Sequence, residues 1–529
     1  MKKKLAGIAV LLLAFLYYYI ELPAINIHES GFWFFLVAVI GIIVVVYAIR
    51  KRLYGTIQLK QSKGIKAGVI LMLVIIAVYA VGSLLSSPII NAKKYQNLVT
   101  PEERDLTEDI QEISFNQIPL LDKDSAVLLG NRKMGSMVDM VSQFEVSDLY
   151  SQINYQGQPY RVTPLVYANA IKWLTNQKDG IPAYIRIDMA TQNTELVKLE
   201  DGIKYSESEL LNRNIYRHLR FRYPTYMFDQ LSFEINDDGV PYWICPVKKF
   251  NIGLFGGQTI GKVVLCNAIT GETEEYKIKD CPQWVDRAYP ADLLIDLYNY
   301  HGTLKNGFFN SVLGQKGCLK TTDGYNYLAL EDDVWVYTGI TSVSGDRSNV
   351  GFVLMNQRTM ETRYYSCAGA EEYSAMESAE GQVQNLKYTA AFPLLLNISN
   401  EPTYFMALKD GAGLVKKYAM VNIQKYQNVA IGDTVSECEK AYVKLLASNG
   451  ITSTDEKSTG TNEISGKIKR IGQAVIDGNS HFYLALEEND EVYDVPVVDY
   501  PEIVTYDVGD EITLEYSEDS PANVVLGIK

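Results

Sequence analysis

The strongest pattern of apolar and polar positions is at the N-terminus, where three apolar stretches are separated by short polar loops. They run from Leu5 to about Ile25, from Phe32 to Ile49 and from Ala67 to Leu85. Because a helix of about 20 residues crosses the ~30 Å core of a bilayer, each stretch predicts one transmembrane helix. No charged residue lies near the middle of a stretch, which favours anchoring over ion transport. We therefore expect residues 1–88 to form a three-helix anchor in contact with the lipid bilayer.

Positive charges predict the orientation of this anchor. The loop from Arg50 to Lys66 carries six Lys or Arg residues, whereas the loop from Asn26 to Ser30 carries none. Since basic short loops stay in the cytoplasm, the N-terminus and the second loop are predicted to be cytoplasmic. The chain after about residue 87 is then extracytoplasmic. The sequence thus predicts a multi-pass protein of the cell membrane.

Beyond the anchor, one pattern of apolar and polar positions occurs three times. An apolar run ends at Asn or Asp, threonines follow three and six residues later, and an alternating segment returns. Asn and Asp bond the backbone two residues on, so each copy predicts a β-hairpin. A looser fourth copy turns near residue 410. The predicted structural turn residues are Asp188, Asn267, Gly271, Asn356 and Asp410.

Helical patterns precede the hairpins. A helix is predicted from Thr163 to Gly180, and a Ser206–Glu209 capping box predicts a second helix. Closely spaced strands near the C-terminus predict a small barrel of the OB or SH3-like kind. The fold class is therefore α+β. The predicted segments are a stalk and connecting helical region at 89–160, α+β units at 161–285 and 286–448, a linker at 449–463 and an acidic β-barrel at 464–529.

The central copy contains GVPYWICPV followed by GKVVLCNAITGETEEY, and this stretch resembles PepSY-type domains. The segment from Gly180 to Leu199 is similar but lacks the turn glycine. The resemblance implies a helix packed on an antiparallel sheet, an extracytoplasmic location and regulation of peptidases or cell-wall hydrolases. It transfers no catalytic residue, because the matching positions are structural turns.

Composition excludes several classes of function. The net charge of −14 argues against a nucleic-acid partner. Six scattered cysteines form no C-x-x-C pair, and four isolated histidines form no H-E-x-x-H motif, so we predict no metal site and no cofactor. A G-x-S-x-G elbow is also absent. No catalytic residue is predicted, although paired carboxylates leave a wall hydrolase with an unrecognised site as an alternative.

One basic and aromatic cluster is a candidate binding surface. Arginine binds phosphate and carboxylate bidentately, and aromatic rings stack on sugars, so an envelope polymer is a candidate ligand. The alternative is a structural helix end with stacked rings. The cluster comprises Arg217, Arg220, Arg222, Tyr223 and Tyr226.

These patterns favour a membrane-anchored extracytoplasmic binding or regulatory protein of the cell envelope. Its expected partners are the bilayer and either another protein or an envelope polymer. A subunit or scaffold of a larger membrane complex is the alternative from a different class, because three apolar helices can also dock on partner helices.

Overall fold

The computed structural model describes residues 2–53, 62–110, 119–343, 348–451, 462–476, 479–487, 489, 491–497, 500–517 and 522–529. The chain divides into two compact units, Met1–Asn449 and Gly450–Lys529. Most of the predicted linker at 449–463 lies outside the described residues.

The first unit combines helices with mainly antiparallel sheets, and this confirms the α+β class. The described helices are α1 Lys2–Glu21, α2 Ser30–Leu53, α3 Lys63–Ser86, α4 Pro88–Gln96, α5 Leu106–Asp109, α6 Lys123–Gly135, α7 Ala170–Asn176, α8 Ile215–Arg222, α9 Ala291–Thr303, α10 Glu372–Gln382 and α11 Val435–Ser448.

Two helices, over Ser30–Lys51 and Lys63–Ser86, are long and apolar enough to cross a membrane, and neither apolar window is buried inside the protein. A core helix of a soluble protein would be covered by other elements, so this exposure favours a lipid surrounding. The apolar part of α1, Ala6–Glu21, is shorter.

Four antiparallel sheets follow, the third with one parallel edge strand. The first has the order β2-β4-β5-β6 with β3 also pairing β4, the second β10-β9-β8-β7, the third β1-β15-β14-β13-β11 with β12 on β13, and the fourth β16-β18-β19-β20 with β17 on β18. Their bounds are β1 Glu102–Arg104, β2 Phe144–Val146, β3 Ser151–Tyr155, β4 Gln158–Tyr167, β5 Ile181–Asp188, β6 Thr194–Ile203, β7 Ser232–Ile235, β8 Pro241–Ile252, β9 Gly256–Asn267, β10 Thr273–Lys277, β11 Leu319–Thr321, β12 Asn326–Leu330, β13 Asp333–Ser342, β14 Ser348–Asn356, β15 Thr362–Ala370, β16 Thr389–Ala390, β17 Leu394–Ile398, β18 Glu401–Lys409, β19 Val415–Asn422 and β20 Val429–Gly432.

The second sheet is covered on both faces. Trp243 and Cys245 belong to the core shared with the first sheet, whereas Ile244 between them belongs to the core shared with α9 and the third sheet. Successive strand side chains point to opposite faces, so one strand serves two cores. The central sheet therefore joins its neighbours through apolar packing on either side.

The repeated pattern forms the same turn in three sheets. The side-chain Oδ1 of Asp188, Asn267 or Asn356 accepts N–H bonds from the residues two and three positions later, at 2.8–3.0 Å. The next threonine hydroxyl then accepts the N–H two residues further on. Asp410 accepts from Ala412 and Leu414 in a related turn. Local side-chain bonds thus satisfy turn amides that no strand can reach.

The helix predicted from Thr163 is wrong. Residues up to Tyr167 form β4, and only Ala170–Asn176 is helical. Pro164 fits because β3 pairs β4 up to Val162 and β2 pairs it from Leu165, so the proline lies where the partner changes. A missing N–H is tolerated at such a break in the ladder. Tertiary pairing has overridden a local helix-start signal.

The predicted capping box also does not start a helix. Ser206 accepts the N–H of Glu209 at 3.2 Å, but the Glu209 carboxylate accepts bonds from Tyr167 and Trp173. The helix starts later, at Ile215, where Asn214 accepts the N–H of Arg217.

The second unit is a closed five-stranded barrel, as predicted. Its order is β21-β22-β23-β25-β24, with β23 and β25 parallel and β21 also pairing β24. This Greek-key closure is typical of the OB fold. The strands are β21 Asn462–Ile476, β22 Asn479–Leu486, β23 Val492–Pro496, β24 Glu511–Ser517 and β25 Asn523–Ile528.

Candidate binding surface

The predicted basic and aromatic cluster lies on α8 and the segment that follows it. Ile215 and Leu219 are buried in the core of the first two sheets. This packing turns the rest of α8 toward the C-terminal end of α1. The five candidate residues therefore share one region, but the structure uses them in different ways.

Arg220 is largely buried and bonds backbone carbonyls. Its Nε donates to the carbonyl of Leu22 at 2.8 Å, and its Nη1 donates to that of Tyr226 at 2.6 Å. Leu22 follows α1 and has a positive φ of 51°. A cation at a helix C-terminus satisfies free carbonyls and complements the helix dipole. Arg220 thus caps α1.

Arg217 also contacts α1. Its guanidinium carbon lies 4.6 Å from the centre of the Tyr19 ring, and its Nε donates to the Tyr19 carbonyl at 3.4 Å. On the next turn, Phe221 meets Tyr18 edge to face at 5.9 Å. These contacts join α8 to the end of the first apolar helix.

The two tyrosines bind the second sheet. Tyr223 and Tyr226 stack at 5.0 Å, and the Tyr223 hydroxyl lies 2.8 Å from the Thr273 hydroxyl. Tyr226 donates to Glu275 at 2.6 Å, and the Lys262 ammonium lies 4.8 Å from its ring. Both hydroxyls therefore have partners within the protein.

Arg222 is the most open of the five predicted binding residues, since its side chain is exposed while the others are partly or fully buried. Anion or glycan binding at this surface stays a prediction, and it rests mainly on Arg222.

A second contact with the apolar helices was not predicted from the sequence. The β8–β9 hairpin extends beyond the strands that flank it, and its tip reaches α3. Ser86 Oγ accepts the N–H groups of Leu254 and Phe255 at 2.9 and 3.2 Å. The Phe255 ring lies 4.9 Å from that of Tyr79. The sequence signal was the apolar pair between glycines in NIGLFGG.

Glycines permit this close approach. A Cβ on Gly256 would lie 2.2 Å from the carbonyl oxygen of Ser86, and a Cβ on Gly82 would lie 2.9 Å from Leu254. Gly253 has a φ of +61°. The glycine-rich stretch NIGLFGG is therefore part of a hairpin packed on a helix.

A buried acidic pair lies where three sheets meet. Glu234 accepts the N–H groups of Asp286 and Arg287 at 2.9 and 3.2 Å, and Asp286 Oδ2 accepts the N–H of Asn154 at 2.7 Å. Asp286 Oδ1 is buried without a hydrogen-bond partner. Burial first, and then the neighbouring carboxylate, raises the pKa of Asp286 well above its usual range. Burial likewise raises the pKa of Glu234 to about 7.

This pair does not resemble a catalytic dyad, because both side chains are almost completely buried. A shallow depression of about 340 Å³ is found elsewhere in the described part of the chain, lined by Ser374, Glu377, Ser378 and Tyr426. It contains one carboxylate and no histidine. Within the described ranges, no group of three or more His, Cys, Asp or Glu side chains is placed to hold a metal ion.

Comparison with known proteins gives no family. No family model and no curated protein matches the chain. Two solved structures of a Bombyx mori GH32 beta-fructofuranosidase, one of them a mutant in complex with sucrose, align over 75% of this chain and 68% of theirs. Their identities are 10% and 9%, with TM-scores of 0.18 and 0.17. Likeness at that level supports no argument about fold or activity.

Proposed function

We propose that this chain is a membrane-anchored, extracytoplasmic binding or regulatory protein of the cell envelope. In this proposal α1, α2 and α3 all span the bilayer, and the sheets lie on the outer side. The repeated helix-and-sheet units are PepSY-like. They modulate a wall hydrolase or peptidase through surface contacts.

One observation carries the anchoring part of the proposal. Helix α8 and the β8–β9 hairpin together contact all three apolar helices, and each contact is at the end that the charge pattern assigns to the outside. Arg220 binds Leu22 beyond α1, the ring of Trp33 near the start of α2 lies 6.2 Å from Phe255, and Leu254 binds Ser86 at the end of α3. Helices running up, down and up bring these three ends together, which supports three crossings.

The regulatory part rests on how the contacts are distributed. Four of the five residues of the predicted cluster, all except the exposed Arg222, are held by internal partners, and the depression at Glu377 lacks a converging set of catalytic groups. Within the described residues these surfaces offer contacts to a partner, and this supports a binding role.

Labelling of intact cells tests the topology. The six cysteines are buried, so the unmodified chain should react poorly with a membrane-impermeant maleimide. Leu386→Cys introduces an exposed thiol and should be labelled from outside. Labelling only after lysis would contradict the proposed orientation.

Purification from detergent tests the role. Crosslinking in cells followed by capture should recover a wall hydrolase or peptidase, whose activity changes when the purified chain is added. A stoichiometric integral membrane partner without such an enzyme would instead favour the scaffold alternative. Turnover of wall material by the purified chain alone would favour the hydrolase alternative.

A further inference from the structure

The segment from Lys305 to Gly317, here named the 305–317 loop, carries an exposed apolar cluster outside the anchor. Phe309, Val312 and Leu313 are 70%, 56% and 81% exposed. Large exposed apolar groups close together mark interaction surfaces, whereas single ones are ordinary.

Internal hydrogen bonds give this loop its shape. The Asn306 and Asn310 side-chain amides donate to the Lys316 carbonyl at 2.8 and 3.1 Å, and the Lys316 N–H returns a bond to Asn310 at 3.2 Å. Its polar side chains thus close the loop. The apolar side chains are left on the outside of a defined turn.

The loop lies next to the membrane exit of α3. Phe308 packs on a cluster formed by Tyr95 of α4, Ile252 of the β8–β9 hairpin and Leu304. The Tyr95 hydroxyl donates to the carbonyl of Ser86, the last residue of α3, at 2.7 Å. A chain of direct contacts therefore joins the loop to the end of a helix long enough to cross a bilayer.

The surroundings have the composition of a membrane interface. The first turn of α4 exposes Ile89 and Ile90, which are 48% and 54% accessible. Exposed lysines flank the apolar groups on both elements: Lys93 and Lys94 on α4, and Lys305 and Lys316 on the loop. Apolar side chains at acyl depth with lysines at phosphate level are typical of interfacial segments.

We propose that the 305–317 loop inserts Phe309, Val312 and Leu313 into the outer leaflet beside α3, and that its lysines bind lipid phosphates. The loop and α4 then hold the sheets against the membrane at a second point. This inference rests on the proposed anchoring of α3, and the test separates the two.

The test uses the full chain, one copy per lipid nanodisc, with one added cysteine that carries an environment-sensitive fluorophore. The native cysteines are buried and stay unlabelled. Leu313→Cys reports on the loop, and Leu73→Cys, 60% exposed on α3, reports on the anchor. Leu386→Cys, 40% exposed beside the fourth sheet, is the aqueous control.

We expect lipids brominated near the headgroup to quench the probe at 313 several-fold more than the probe at 386, and aqueous iodide to show the reverse order. Bromines deep in the acyl chains should quench the probe at 73. If 73 is quenched by lipid and 313 only by iodide, the loop proposal fails while the anchoring stands. If lipid quenches neither the probe at 73 nor the probe at 313, the anchoring proposal and the loop proposal both fail. Shielding of 313 from iodide without lipid quenching indicates a protein contact and also overturns the proposal.

A matched pair of variants checks that the apolar groups cause the insertion. In the Leu313→Cys background, Phe309→Ser with Val312→Ser should abolish lipid quenching, because the loop then lacks the apolar side chains that favour its insertion into the lipid. Lys305→Gln with Lys316→Gln should weaken it in nanodiscs of anionic lipid and change it little in neutral lipid. Unchanged quenching in the serine variant would contradict insertion.

Discussion

Several ionisable side chains of this protein are buried, and the free-energy cost of burying their charge is reduced in two ways. Arg220 keeps its charge because carbonyl oxygens surround it. Glu234 and Asp286 accept backbone N–H groups, and no cation among the described residues is bonded to either carboxylate, so the cost of burying two negative charges is reduced by holding a proton. Each case predicts a measurable consequence.

The acidic pair predicts stability that falls as pH rises. Burial raises both pKa values above those of the unfolded chain, so the folded protein takes up protons. The associated stability is complete below the unfolded pKa, about 4, and is lost as pH rises through the folded value of Glu234, about 7. The slope is about 1.4 kcal/mol for each pH unit and bound proton. Chemical unfolding of the protein in micelles between about pH 5 and about 8 measures it.

Asp286→Asn is the matched variant for this prediction. It keeps an oxygen acceptor for the N–H of Asn154 but removes one charge, which also lowers the pKa of Glu234. We expect a smaller fall in stability with pH and greater stability near pH 8 than in the unmodified protein. The other charged groups near the pair are Arg287, Asp332, Asp333 and Arg358, and they stay in place. A profile identical to that of the unmodified protein would count against the shared proton.

The arginines of α8 predict unequal effects of substitution. Arg220→Ala leaves the carbonyls of Leu22 and Tyr226 without this donor and should cost about 2–3 kcal/mol, typical of bonds to a charged group. Arg222→Ala removes an exposed side chain and should change the melting temperature little. Thermal unfolding in detergent compares the two. Equal losses would mean that the buried contacts of Arg220 are not stabilising.

At the scale of elements, the three copies of the hairpin show whether its turn requires glycine for the backbone conformation or for lack of space. The equivalent turn position is Gln192 in the first copy, Gly271 in the second and Met360 in the third, with φ of 61°, 76° and 69°. Two side chains therefore adopt a left-handed backbone at this position. A glycine in the second copy must have another cause.

That cause is the Tyr205 ring, since a Cβ on Gly271 would lie 2.3 Å from it. Gly271→Ala should therefore destabilise the protein by more than the ~1 kcal/mol typical of left-handed strain, because the ring must move. Gln192→Gly should stabilise it slightly by relieving that strain. Tyr205→Leu should recover part of the Gly271→Ala loss. A double-mutant cycle with thermal unfolding measures this coupling, and additive effects would exclude the clash.

At the scale of the whole molecule, the barrel is predicted to fold without the rest of the chain. It forms its own compact unit, and the residues of its core belong to the same unit, with Leu484, Tyr493 and Leu514 fully buried. A fragment of residues 450–529 should give a dispersed amide NMR spectrum. A shorter fragment that starts at Ser465 should give a less dispersed spectrum, because it lacks Asn462 to Ile464, which pair with β24. A collapsed spectrum from the longer fragment would contradict independence.

The same fragment is predicted not to bind nucleic acid. Acidic residues outnumber basic ones in this segment, and phosphate contacts need lysine or arginine. Titration with fluorescent single-stranded DNA at low salt should show no change in anisotropy. Salt-sensitive binding would overturn the prediction.

Local chemistry made several features predictable from the sequence. The apolar helices follow from length and composition, and the hairpins follow from Asx and threonine side chains that bond their own backbone. The closed barrel follows from closely spaced alternating segments. In each case the deciding interactions lie within a few residues or within one periodic pattern.

Tertiary structure decided the rest, because the partners are distant along the chain. Pro164 is in a strand because two different strands pair on either side of it, 198 residues separate Arg220 from the carbonyl it caps, and Glu234 meets Asp286 from a different segment. A local pattern shows that a side chain is charged or apolar. Only packing determines whether that side chain meets solvent, lipid or another buried group. Packing therefore decides whether an arginine caps a helix or is exposed for a ligand.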